Sequence, residues 1–135
     1  MEGTHPKGED MDLNLPSTAT FLCCQKIQQD VLSKNYDLRG VFQGFHVPGY
    51  PFGAEFMTFC RLRYEGKGSF RIDTTLYDES GNKISDSEPR QLDFGENPLL
   101  DLLTGWRVVF PKPGVYTFRV FCNNINIGTY PVFCR

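Results

Sequence analysis

Histidine is nearly missing from this sequence: His5 and His46 are the only two in 135 residues. Neither stands at a ligand spacing with a cysteine or a carboxylate, so the sequence gives no metal site. A serine or cysteine nucleophile needs a nearby base, and His46 is the one imidazole within the strand-rich part of the chain. No G-x-S-x-G run and no phosphate-cradling glycine loop occurs. A surplus of one charge sign is also lacking, with 14 Lys and Arg against 16 Asp and Glu, for a net charge of −2. Such a balance supplies no basic field for nucleic acid. No apolar run approaches the roughly 18 residues needed to span a bilayer, so no membrane partner is expected. The first residues, MEGTHPKGEDMDLNLPST, carry no apolar core of a secretory leader. The expectation is a cytoplasmic chain without catalytic residue, cofactor or metal.

Cysteine is present without a pattern. Cys23, Cys24, Cys60, Cys122 and Cys134 are an odd number and form no C-x-x-C pair. Four of them sit in apolar, strand-like runs, where a free thiol behaves as a small hydrophobe. We expect five thiols and no disulfide, with a thiol redox sensor as the weakest functional alternative.

What is plentiful is alternation. With 40% hydrophobic and 14% aromatic residues, the chain has enough apolar material for one domain with a real core. Residues 1–17 are polar and contain two prolines, so they are expected as a flexible tail before a domain at 18–135. Within that domain, Glu55 to Asp78 shows period-two alternation on both sides of Gly66-Lys67-Gly68, the signature of a hairpin. Counting outward puts Tyr64 with Phe70, Leu62 with Ile72, Cys60 with Thr74 and Thr58 with Leu76 on a core face. The other face would carry Arg63 with Arg71, Arg61 with Asp73, Phe59 with Thr75 and Met57 with Tyr77.

Turn signals punctuate the rest. Pro48 to Gly53, Asp78 to Asn82, Pro111 to Gly114 and Asn123-Asn124 separate strand-like segments. The Asp78–Asn82 oxygens read as an ordinary turn, since the twelve-residue calcium-loop pattern is missing. Gly40 and Gly44 suggest a bulge or a close backbone approach, and Pro89 an edge strand or a bulge. The stretch 95–105, GENPLLDLLTG, offers Asn97 as cap and Pro98 at the first helical position, which predicts one short helical insert. Trp106, Val108 and Phe110 resume the alternation. The sum is an all-β chain: one antiparallel sandwich of about seven or eight strands, with Leu62, Ile72, Trp106 and Phe118 in its core.

The runs LRGVFQGFHVPGYP, FMTFCRLRYEGKGSFRIDTTLYDESGNKI and FPKPGVYTFRVFCNNINIGTYPV together resemble a family of small bacterial domains of unknown function. The likeness covers residues 18–135 and implies an immunoglobulin-like sandwich. Gly114-Val115-Tyr116 before an apolar strand is similar to the tyrosine corner of such folds. The resemblance implies no catalytic residue.

Two surfaces remain as candidate sites. Loops at one end of the sandwich would present His46, Tyr50 and Phe52, unless these aromatics plug the core. The outer hairpin face would present Met57, Phe59 and Tyr77 beside Arg61, Arg63 and Arg71. Those three apolar groups need a cover, for which the leucine-rich insert, the N-terminal tail or a second chain are the choices. The expected function is a non-enzymatic module that binds a protein partner or itself. The alternative is a small-ligand or glycan-binding domain that uses the aromatic loop end.

Overall fold

The computed structural model describes residues 14–135, and among them the chain is all β, with eleven strands and no helix. In chain order these are β1 (Ser17–Cys24), β2 (Lys26–Gln29), β3 (Tyr36–Arg39), β4 (Gly44–Phe45), β5 (Phe52–Arg63) and β6 (Gly68–Tyr77). There follow β7 (Lys83–Asp86), β8 (Arg90–Phe94), β9 (Leu99–Phe110), β10 (Gly114–Cys122) and β11 (Ile125–Cys134). One sheet has the order β1-β5-β9, and the larger one runs β4-β11-β10-β6-β7, with β8 also on β6. The ribbon β2-β3 stands apart. Of the segment expected as a tail, residues 1–13 lie outside the described residues, while Leu15 packs on the core and Ser17 opens β1.

The hairpin expected at 55–78 is overturned. β5 pairs with β1 and β9, whereas β6 pairs with β10, β7 and β8, so the two strands belong to different sheets. The link between them crosses the sandwich. Its glycines serve close approach: a Cβ on Gly66 would meet the Tyr64 ring at 3.1 Å, and one on Gly68 the Phe70 ring at 3.0 Å. Tyr64, Phe70 and Phe94 form an edge-on aromatic trio at the crossing, with centroids 4.8, 5.6 and 6.0 Å apart. The period-two sorting itself survives. Thr58, Cys60, Leu62, Phe70, Ile72, Thr74 and Leu76 are all buried, but they meet across the layers and not along one sheet.

The helical insert is likewise absent. Leu99–Leu103 is the first half of β9, paired residue for residue with β5 from Arg63↔Leu99 to Phe52↔Phe110. Asn97 does bond forward, its Oδ1 accepting from the Leu99 N–H at 3.0 Å, but the chain then extends. Alternation explains why. Leu100, Leu102, Thr104, Trp106, Val108 and Phe110 turn inward in one unbroken period of two, and β5 offers a partner along the whole length.

Eleven strands exceed the expected seven or eight because the outer edge is broken and two small pieces are added. Pro89 lies between β7 and β8, which occupy successive stretches of the same side of β6, as an edge proline should. Ser87 spans the break: its N–H donates to the Thr74 carbonyl and its Oγ accepts from the Thr74 N–H, at 2.8 and 2.9 Å. β4 is a two-residue parallel partner of β11, and Gly44 is required there because a Cβ would lie 2.5 Å from the Phe133 carbonyl. β10 and β11 turn on Asn123-Asn124, with φ of 48° and 69°, the left-handed pair that a two-residue hairpin of matching twist needs.

Two apolar clusters fill the space between the sheets. One gathers Phe56, Trp106, Phe110, Tyr116 and Phe118, and the other Leu62, Ile72, Phe94, Leu102 and Val120. Each draws on both sheets, which makes the body of the chain a sandwich. Leu62, Ile72, Trp106 and Phe118, expected in the core, are at most 5% exposed.

Candidate functional site

The loop end forms as the turns required. Tyr50 and Phe52 lie against the first cluster, with the Phe52 ring 5.6 Å from Phe45. Burial raises the Tyr50 hydroxyl above its usual range, with Cys134 adding to the shift. Glu79 ties two turns together by accepting the Val115 N–H at 2.6 Å. Asp78 is occupied by its own loop, accepting from the N–H groups of Ser80 and Asn82, and these bonds, that of Asn82 foremost, lower its pKa. His46 is exposed, beside a hollow of about 250 Å³ that Phe45, Phe133 and Arg135 also line. Of the three residues named for this end, two therefore serve packing and His46 alone faces out.

The residues named for the outer hairpin face are brought together only in part, four of them at alternate positions of one strand. Met57, Phe59, Arg61 and Arg63 stand on β5, while Arg71 and Tyr77 stand on β6 in the other sheet. Arg63 pairs with Glu65 at 3.0 Å, and Arg71 lies in the other sheet. Arg61 faces Asp101 and not Asp73: its Nε and Nη2 donate to the carboxylate at 2.7 and 3.0 Å. Tyr77 packs under the guanidinium of Arg119 at 4.7 Å.

Phe59 is covered from within the chain, though not by the leucine segment as insert. It is 5% exposed, with the Tyr36 ring edge-on at 5.7 Å and the Arg61 guanidinium over it at 5.4 Å. The β2-β3 ribbon brings Tyr36 there. Its tip is fixed by Asp30, whose carboxylate accepts from the N–H and hydroxyl of Ser33 at 2.8 and 2.6 Å. That closed turn displays Val31 and Leu32 at 78% and 92% exposure.

The thiols supply no nucleophile. All five are free and buried, and burial pushes Cys23 and Cys60 up to about 12 and Cys122 and Cys134 up to about 11. Near neutral pH they stay protonated, which removes the reactive form a redox sensor uses. Among the described residues no group of three or more His, Cys, Asp or Glu is placed to hold a metal. No helix there is long and apolar enough to cross a membrane.

One feature escapes the sequence because the first half of its strand carries helix signals. β9 is twelve residues long, contains no proline and no bulge, and pairs on one side only. Among the described residues no strand takes its other side. An edge of that length carries a row of unpaired N–H and C=O groups and is a template for another chain. Its outward positions are Leu99, Asp101, Leu103, Gly105, Arg107 and Val109. A hollow of about 520 Å³ opens over Gly105, between Gln25, Glu55, Met57 and Arg107.

The chain is similar over part of its length to several solved structures. A glycosyl hydrolase family 2 member from Bacteroides cellulosilyticus shares 11% identity over 61% of this chain and 12% of that one, with a TM-score of 0.47. The alkylpurine DNA glycosylase AlkC of Pseudomonas fluorescens, bound to DNA containing an abasic site analog, shares 9% over 69% and 28%, with a TM-score of 0.49. A putative beta-galactosidase from Bacteroides fragilis shares 13% over 63% and 14%, with a TM-score of 0.47. The chain thus spans little more than a quarter of these proteins at most. No curated protein matches it. The sequence does match one protein family, over residues 19–134.

Proposed function

The chain belongs to a family of unknown function, DUF6941, and from that premise we propose a non-enzymatic interaction module that binds another polypeptide along a sheet edge. The observation that carries this reading is the unpaired side of β9. It is supported by an immunoglobulin-like assignment of the strands. The order β1-β5-β9 opposite β11-β10-β6 corresponds to A-B-E opposite G-F-C in such sandwiches. The chain between β6 and β9 is laid down as β7 and β8 on the free side of β6, so among the described residues no strand lies beside β9 on its outer side. The tyrosine corner agrees: Tyr116 donates its hydroxyl to the Lys112 carbonyl at 2.6 Å, where the chain passes from one sheet to the other. Five free, buried thiols fit a bacterial cytoplasmic setting. The loop end, the alternative for a small ligand or glycan, has committed Tyr50 and Phe52 to packing.

The test is capture from native cells with the intact chain as bait, beside a Val109→Asp bait. Val109 is 60% exposed, so the substitution leaves the fold intact. A polypeptide held by the first bait and lost by the second supports edge binding. Equal retention by both overturns it.

A further inference from the structure

We propose that the polypeptide which β9 binds is a second copy of this chain, in one register: β9 against β9, antiparallel, about a two-fold axis at Thr104. This rests on the edge-binding reading and names its partner. Pairing about Thr104 places residues whose numbers sum to 208 opposite one another. Asp101 then faces Arg107 of the second copy, Leu99 faces Val109, and Leu103 faces Gly105, each twice by symmetry.

The flanking strands extend the match. Within one chain Arg61 pairs with Asp101, and Arg107 with Glu55, at 2.7 and 3.3 Å. In the joined sheet each row of charges becomes Arg61, Asp101, Arg107 and Glu55, the last two from the second copy. The signs alternate across four strands, which is the favourable cross-strand order. Leu99 and Val109, 38% and 60% exposed, cover each other. In this register Leu103 of the second copy comes to the hollow over Gly105, where an added Cβ would meet nothing within 4 Å.

Neighbouring registers lose this match. An axis at Gly105 sets Asp101 against Val109 and Arg107 against Leu103, and leaves glycine facing glycine. An axis at Leu103 sets Arg107 against Leu99 and Asp101 against Gly105. An axis between residues turns core-facing side chains toward solvent-facing ones. Only the Thr104 register pairs charge with charge and apolar with apolar, so the edge complements itself.

Sedimentation velocity of the intact chain over a concentration series tests this. The expected result is a reversible dimer. Arg107→Asp sets two carboxylates opposite each other twice, and weakens the dimer by about tenfold. A Leu99→Cys/Val109→Cys variant, oxidised, yields a covalent dimer whose bridge joins residue 99 of one copy to 109 of the other. The offset variant Leu99→Cys/Arg107→Cys yields none. A chain that stays monomeric throughout overturns the self-pairing, as does a dimer indifferent to Arg107→Asp. In either case a different polypeptide, captured by the intact chain and lost with Val109→Asp, would leave edge binding itself standing.

Discussion

The indole N–H of Trp106 donates to Oγ1 of Thr58 at 2.9 Å inside the core, joining β9 to β5 through side chains as well as backbone. Both residues are at most 5% exposed, so no water replaces the bond. Thr58→Val keeps the shape of the side chain and removes the acceptor. The indole then stays buried and unpaired, at a cost of about 1–3 kcal/mol. Chemical unfolding followed by the fluorescence of the single tryptophan measures it. A cost near zero would mean that the indole finds another partner.

Tyr116→Phe removes the hydroxyl bond to Lys112 and leaves the ring against Phe110 in place. The expected loss is about 1 kcal/mol, the net worth of one hydrogen bond. Thermal melting beside Phe118→Leu, which alters packing without touching the corner, separates the bond from the ring.

Which residues face the core was legible in the sequence; which strands lie side by side was not. The period of two sorted Leu62, Ile72, Cys60 and Leu76 inward correctly, because burial on one face writes itself into alternation. Hydrogen-bond partners leave no such mark. β5 and β6 show the same run of inward residues, and a short glycine link suits a hairpin as well as a crossing. The aromatic trio that holds the crossing is made with Phe94, far along the chain, and local spacing could not reveal it. Asn97-Pro98 misled for a related reason. An asparagine that accepts the N–H two residues on opens a helix or a turn equally well, and the strand prevailed because β5 pairs with it over its full length. For the candidate sites, the loop aromatics and Phe59 were found as apolar groups needing contact, but their covers, Phe45 and Tyr36, come from segments that pattern did not connect to them.

Phe59→Glu should destabilise the isolated chain. Its ring is buried beneath Tyr36 and Arg61, so the loss includes both packing and the burial of a charge, about 3 kcal/mol or more. Val31→Ser with Leu32→Ser, at the exposed ribbon tip, should change stability by about 0.5 kcal/mol or less. Melting curves of the two variants are the check. A tip variant as damaged as Phe59→Glu would show that the tip is covered in solution.

The thiols set an alkaline limit. Their pKa values are raised in the fold, so the folded state keeps protons that the unfolded chain releases. Their contribution to stability is intact below about pH 9 and declines as pH climbs through 11 and 12. Melting temperature should be flat across neutral pH on their account and fall above that limit. Native alkylation near neutral pH should label none of the five, and denaturing alkylation all five. A single adduct on the native chain would mark an opening that the fold does not show.

The parallel pairing of β4 with the end of β11 has a consequence for the order of events during synthesis. Gly44 finds its partner in Phe133, so the early edge of the larger sheet waits for the last strand described. β10, which joins β6 to β11, is also made late. A growing chain on the ribosome therefore carries Phe45 and Phe56 before Phe110 and Phe118, which complete their cover, have been made. Folding dominated by such distant pairings belongs to the slow, millisecond-to-second class. During that interval the nascent segment exposes apolar surface of the kind that promotes aggregation.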